Sequence, residues 1–172
     1  MLLPLAVSKI REPRKEKLVW YFAYGSNMNK DDLERWCKEK GYSPIELISP
    51  VKATLLDHKL CFTHYSSKRR GGVADIIPCE NEKVEGILCQ VTENDLDKIE
   101  EKEGVPNVYR RKIVNVVLGK GTTQCAITYE VREKEGVFLP LWLYMSTIIE
   151  GANAHHLSKN YISKLEKIKV KD

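Results

Sequence analysis

The chain lacks the marks of a metal, secreted or membrane protein. Its five cysteines (Cys37, Cys61, Cys79, Cys89 and Cys125) are odd in number and form no C-x-x-C pair. That pattern excludes a zinc ribbon and suits a reducing compartment. No apolar run approaches the ~20 residues a spanning helix needs. The apolar stretch Met1–Val7 has no basic residue before it and no small-x-small cleavage pattern after it, so no secretory signal is expected. The expectations are a cytoplasmic protein with no membrane partner and no zinc site. There is no internal repeat, and no low-complexity segment beyond a lysine-rich end. Strong charge of one sign is missing too. The formal net charge of +4 is carried by residues 1–17 and 159–172, which leaves residues 18–158 slightly acidic. A nucleic-acid groove within the fold is therefore not expected.

What remains is an ordinary globular composition, 42% hydrophobic and 30% charged over 172 residues, enough chain for one domain with a real core. Residues 1–17 read as a flexible basic tail, 18–168 as a single domain and 169–172 as a lysine-rich end. Leu18–Tyr24 is a short apolar run that predicts a buried strand. Asn29, with Asp32 three residues on, predicts a helix start, and Leu33, Trp36 and Cys37 recur at helical spacing until Gly41. From Ile45 to Val91 the text is strand-like, punctuated by Gly71-Gly72 and Pro78. Thr92 and Asp95 open a second helix that Gly104 closes. Val108–Leu118 and Thr122–Val131, joined by Gly119-Lys120-Gly121, predict a hairpin. Leu139–Ile149 fits strand or helix, and Ser158 caps a terminal helix with Tyr161, Ile162, Leu165 and Ile168 on one face. The fold class that follows is α+β, a small mixed, barrel-like β-sheet with flanking helices.

Two places carry chemistry. Tyr21-Phe22-Ala23-Tyr24-Gly25-Ser26-Asn27 runs an aromatic strand into a tight turn and a helix start, an arrangement that presents backbone N–H groups to an anion. The second is Glu103. At about 100° per residue, Leu96 and Ile99 set the core-facing side of their helix, and Glu103 lies on that stripe. Glu101 points to solvent, and Glu100 and Lys102 flank the stripe. Burial and the negative helix end both raise the proton affinity of a carboxylate so placed, which suits general acid–base work. The alternative is a helix that frays before Glu103 and frees it into water. Elsewhere the plainer reading leads. Cys89 reads as an inert buried thiol, His155-His156 as a surface loop, and Lys68-Arg69-Arg70 as a solvated turn. Ser26 and Asn27 read as turn formers, Tyr109, Tyr129 and Tyr144 as core aromatics, and Trp36 and Trp142 as core or interface.

Taken together, these letters resemble a known family. Tyr21-Phe22-Ala23-Tyr24-Gly25-Ser26-Asn27-Met28 resembles the signature of the γ-glutamylcyclotransferase family. Gly71-Gly72-Val73-Ala74 is similar to its Gly-Gly-hydrophobic-Ala segment, and Glu103-Gly104-Val105 with Tyr109 to the segment bearing its catalytic glutamate. Tyr129 falls in a strand where the family places a tyrosine, and Tyr144 before Gly151-Ala152 resembles its closing segment. The resemblance implies a barrel-like core and an enzyme that releases 5-oxoproline from γ-glutamyl amides, with Glu103 as the base and acid. It implies substrate binding by Tyr21–Asn27, Tyr109, Tyr129 and Tyr144, and it needs no cofactor and no metal. A small-molecule γ-glutamyl substrate is the implied partner, and a homodimer is possible on family grounds. Open alternatives are the same chemistry on a γ-glutamyl group carried by a larger amine or biosynthetic intermediate, or a non-catalytic module that binds a γ-glutamyl or acidic ligand.

Overall fold

β1 and the turn after it bring the site together, and the rest of the fold holds them there. The structure, a computed structural model, describes residues 16–172. The expected N-terminal tail lies outside the described residues, apart from Glu16 and Lys17. In chain order the elements are β1 (Leu18–Ala23), a 3₁₀ turn (Ser26–Met28), α1 (Lys30–Lys40), β2 (Ile48–Ser66), β3 (Gly71–Thr92), α2 (Glu93–Glu103), β4 (Tyr109–Leu118), β5 (Thr123–Val131), α3 (Trp142–Ala154) and α4 (Lys159–Glu166). The strands close into a barrel in the order β1-β3-β2-β4-β5. The closing seam is short and parallel, with Tyr21 opposite Ile127.

β1 reads as a continuous apolar run because its inner half is buried on both faces, with Tyr21, Phe22 and Ala23 all enclosed. It pairs antiparallel with β3 from Leu18↔Thr92 to Ala23↔Ile87. Gly86 permits that approach, since a Cβ there would stand 2.3 Å from the Ala23 carbonyl oxygen. β2 and β3 form one long hairpin. Pro78, expected as a break, lies inside β3, where the register jumps from Leu56↔Lys83 to His58↔Pro78. The chain between bulges out of the ladder, and a residue without an N–H is tolerated at such a point. The core is filled by Phe22, Met28, Ile76, Ile87, Leu88, Ile99 and Ile148, all essentially inaccessible.

The helices start where their caps predict. Asn29 accepts from the Asp32 N–H, Thr92 from Asp95 and Ser158 from Tyr161. α1 ends at Gly41 and α2 at Gly104, both left-handed. The ambiguous Leu139–Ile149 stretch resolves into the start of α3, preceded by an extended strap that lies on the β2–β3 hairpin. Phe138 N–H donates to Phe62 O, and Gly72 N–H to Leu139 O. Trp36 is buried and Trp142 exposed. The lysine-rich end is tied down rather than solvated, because Lys171 exchanges backbone hydrogen bonds with Pro140 and Trp142. Among the described residues, no helix is long and apolar enough to cross a membrane.

Candidate active site

α2 runs without fraying to Glu103, and Gly104 turns the chain away in the next residue. That settles the direction of the side chain. Glu103 borders a small cavity of about 40 Å³, together with Tyr21, Tyr24, Gly25, Ser26, Asn27, Tyr109, Tyr129 and Tyr144. A second chamber of about 350 Å³ shares Ser26, Glu103, Tyr109 and Tyr144 with the first, and is flanked by Trp36, Lys40, Lys68 and Arg69. The strand-turn-helix at residues 21–29 and the end of α2 are therefore brought together across the top of the barrel. Phe22 and Ala23 do not line the cavity. Phe22 is buried, and its carbonyl accepts the Thr128 hydroxyl at 2.8 Å.

The Glu103 carboxylate is held from one side. Asn27 Nδ2 donates to Oε1 at 2.7 Å and to the Tyr21 hydroxyl at 3.0 Å. No protein donor meets Oε2 among the described residues. Glu103 keeps partial contact with solvent through the cavity, while its carboxyl lies deep within protein. That burial raises its proton affinity above the ordinary glutamate value, against the opposing influences of Lys102, the Asn27 hydrogen bond and Arg69. The outcome is a carboxyl group able to exchange a proton closer to neutrality than a surface glutamate.

Five tyrosines enclose the remaining space, and their hydroxyls are not equivalent. Tyr24 donates to Tyr129 O at 2.6 Å, Tyr109 donates to Ala74 O, and Tyr129 donates to Glu100 Oε1 at 2.9 Å. Tyr144 accepts from the Ala74 N–H at 3.0 Å, and Tyr21 accepts from Asn27. The protons of Tyr21 and Tyr144 thus have no acceptor among the described residues and are the two available to a ligand. Burial pushes the hydroxyls of Tyr21, Tyr24 and Tyr109 well above their ordinary value, so they stay protonated as donors. Gly25, Ser26 and Asn27 add backbone N–H groups at the start of the 3₁₀ turn, whose first hydrogen bond comes only at Met28 N–H to Gly25 O.

Tyr144 is placed by a glycine two turns further along α3. A Cβ on Gly151 would lie 2.9 Å from the Met28 carbonyl carbon and 3.0 Å from the Asn29 nitrogen. Only a glycine lets α3 rest directly on the turn. His155 adds a 3.0 Å contact to Met28 O and is partly buried there, so it is not the free surface loop expected.

Three residues at the site carry no legible signal in the sequence. Arg69, expected in a solvated turn, makes a two-pronged ion pair with Asp32 at 3.0 and 2.8 Å, and its guanidinium lies 5.2 Å from the Tyr144 ring centre. Asp32 is 3% exposed. Burial opposes its ionisation, but the Arg69 hydrogen bonds and the Lys102 charge outweigh that and hold it well below the usual carboxylate range. Lys102 closes the group at 3.1 Å from Asp32. Glu100, on the other flank of α2, is committed to Arg111 and Tyr129. Cys89 matches an inert thiol, since burial pushes it up to about 12.

The AIG2-like family model matches residues 83–165, the stretch from mid-β3 through α2 into α4. A γ-glutamylcyclotransferase from Bos taurus is 28% identical over 157 residues, covering 88% of this chain and 79% of the relative. The enzyme of that name from Homo sapiens is 26% identical, covering 91% and 82%. A solved γ-glutamyl cyclotransferase superposes with a TM-score of 0.78 at 25% identity, over 91% of this chain and 90% of that one. In sequence, in barrel architecture and in the matched segment, the chain is similar to the γ-glutamylcyclotransferases.

Proposed function

We propose that this protein is a γ-glutamyl cyclotransferase, releasing 5-oxoproline and an amine from γ-glutamyl amides, with Glu103 moving the protons. The observation that carries the reading is the Glu103 carboxyl, buried at the end of α2 with Oε1 anchored by Asn27 and Oε2 unengaged beside the cavity. The substrate's α-amine and γ-carbonyl belong to one molecule, so holding it folded supplies much of the acceleration. Effective molarities for aligned intramolecular attack reach about 10⁵–10⁸ M.

The proton balance is simple. The α-ammonium loses one proton to solvent to become a nucleophile, and its nitrogen attacks the γ-carbonyl carbon to close a five-membered ring. The attacking nitrogen then gives a second proton to Glu103. Glu103 passes that proton to the amide nitrogen as the C–N bond breaks, so the leaving group departs as a neutral amine. The oxyanion formed in between is met by the free N–H groups of Gly25–Asn27 and by the hydroxyl protons of Tyr21 and Tyr144. The second chamber receives the leaving amine, and its size allows amines larger than a single amino acid.

The test is incubation of the purified protein with a panel of γ-glutamyl amides, from γ-glutamyl amino acids to γ-glutamyl groups on longer amines, following 5-oxoproline. Release from at least one is expected, and release from none refutes the reading.

A further inference from the structure

Lys102 follows α2 almost to its end, yet its side chain is only 7% exposed. An ammonium so enclosed is tolerable only with charge and hydrogen-bond partners. It has both. Nζ lies 3.1 Å from Asp32 Oδ2, donates to Asn27 Oδ1 at 2.8 Å and reaches Ser26 Oγ at 3.4 Å. Asp32 is itself clamped by Arg69 and by Arg35 at 2.6 Å.

An ammonium donates and cannot accept. Its contact with Asn27 therefore decides which way that amide faces: Oδ1 toward Lys102, and Nδ2 toward Glu103 and Tyr21. With the amide reversed, a carbonyl oxygen would face the carboxylate, and two acceptors would meet. Nothing else among the described residues donates to Asn27 Oδ1.

We propose that Lys102 is a positioning residue for the cyclisation, fixing the Asn27 amide so that its NH₂ holds Glu103 Oε1, with Asp32 and Arg69 locking Lys102 in place. This rests on Glu103 being the acid–base group. Lys102 also borders the second chamber, but in this role it acts through Asn27.

The charged and titratable groups facing Glu103 are Lys102 on α2, Asp32 on α1, Arg69 between β2 and β3, Tyr21 and Tyr24 at β1, Tyr109 on β4, Tyr129 on β5 and Tyr144 on α3. Of these, Lys102 and Asp32 push Glu103 in opposite directions, Lys102 favouring the carboxylate and Asp32 the acid.

The experiment compares Lys102→Met, Lys102→Gln and Asp32→Asn with wild type on a γ-glutamyl amide that wild type turns over, across pH. Loss of a charge-assisted supporting bond predicts a kcat about 10–100-fold lower for Lys102→Met with KM nearly unchanged. Gln keeps a donor for Asn27 Oδ1 and restores most of kcat. The acidic limb of the pH profile moves up in both Lys102 variants and down in Asp32→Asn, a divergence that general damage to the fold does not produce. A kcat for Lys102→Met within twofold of wild type, or limbs moving the same way in Lys102→Met and Asp32→Asn, overturns the proposal. Where Lys102→Met fails to fold, Lys102→Gln and Asp32→Asn decide alone. NMR titration of the ¹³C-labelled Glu103 carboxyl in the same proteins reads the opposed shifts without turnover. It thereby separates failure of this proposal from failure of the cyclotransferase reading, which shows as no 5-oxoproline from wild type.

Discussion

Glu103 and Asp32 lie in one network but carry opposite proton linkage. Burial raises Glu103 above its unfolded value, so its contribution to stability is full below the unfolded pKa of about 4.3 and is lost as pH rises through the folded value. Asp32 is held below its unfolded value, so its contribution is present above about 3.9 and is lost as pH falls. Glu103→Gln therefore gives a protein more stable than wild type at neutral pH, and the gap closes in acid. Urea denaturation of both proteins between pH 4 and 8 checks this, and a gap that widens toward acid contradicts it. The same substitution removes proton transfer while keeping shape, and turnover falls by about 10²–10⁴-fold. A near-normal rate in that variant moves the role elsewhere, with Glu100 the next carboxylate to test.

At the scale of elements, the site depends on how closely α3 lies against the 3₁₀ turn. Gly151 faces backbone atoms of Met28 and Asn29 at about 3 Å from a would-be Cβ, and backbone cannot swing aside as a flexible side-chain end can. Gly151→Ala is expected to cost about 1–3 kcal/mol as an overpacking change. It also separates Tyr144 from the turn that carries Gly25–Asn27, so KM rises. Chemical denaturation and steady-state kinetics read the two effects separately. A stable variant with wild-type KM shows that the helix can shift without cost to the site.

Across the whole molecule, Asp75 ties the barrel wall together beneath the cavity. It is fully buried and accepts from Thr63 Oγ1 at 2.6 Å, from the Ile76 and Val131 N–H groups at 2.8 Å each, and pairs with Lys134 at 2.9 Å. It thereby joins β2, β3, the end of β5 and the chain beyond. Asp75→Ala leaves two backbone N–H groups, a hydroxyl and an ammonium without this acceptor, and breaking such a buried pair costs about 3–5 kcal/mol. The thermal midpoint is expected to fall while the unfolding transition stays single. An unchanged midpoint shows that the barrel does not lean on this link.

Local pattern alone located the turn at Tyr24–Asn27, the caps at Asn29, Thr92 and Ser158, the glycine ends at Gly41 and Gly104, and Glu103 on the inner stripe of its helix. These are properties of neighbouring residues: a cap needs an acceptor three positions before its donor, and a helix stripe needs only the 3.6-residue period. The Leu139–Ile149 stretch stayed ambiguous because a short apolar run packs equally well as strand or helix until its neighbours are known. Likewise, Arg69 looked like one more cation in a surface turn, and Asp32 like an ordinary first-turn acid. Only the tertiary structure brings the β2–β3 turn onto the first turn of α1 and the last turn of α2. Removed from water together, Arg69, Asp32 and Lys102 must satisfy one another, and that pairing reaches Glu103 through Asn27. The sequence by itself determined where the turn and the inward-facing Glu103 lie, and the packing decided which neighbours orient them, because charge pairing across 70 residues is set by barrel closure rather than by local spacing.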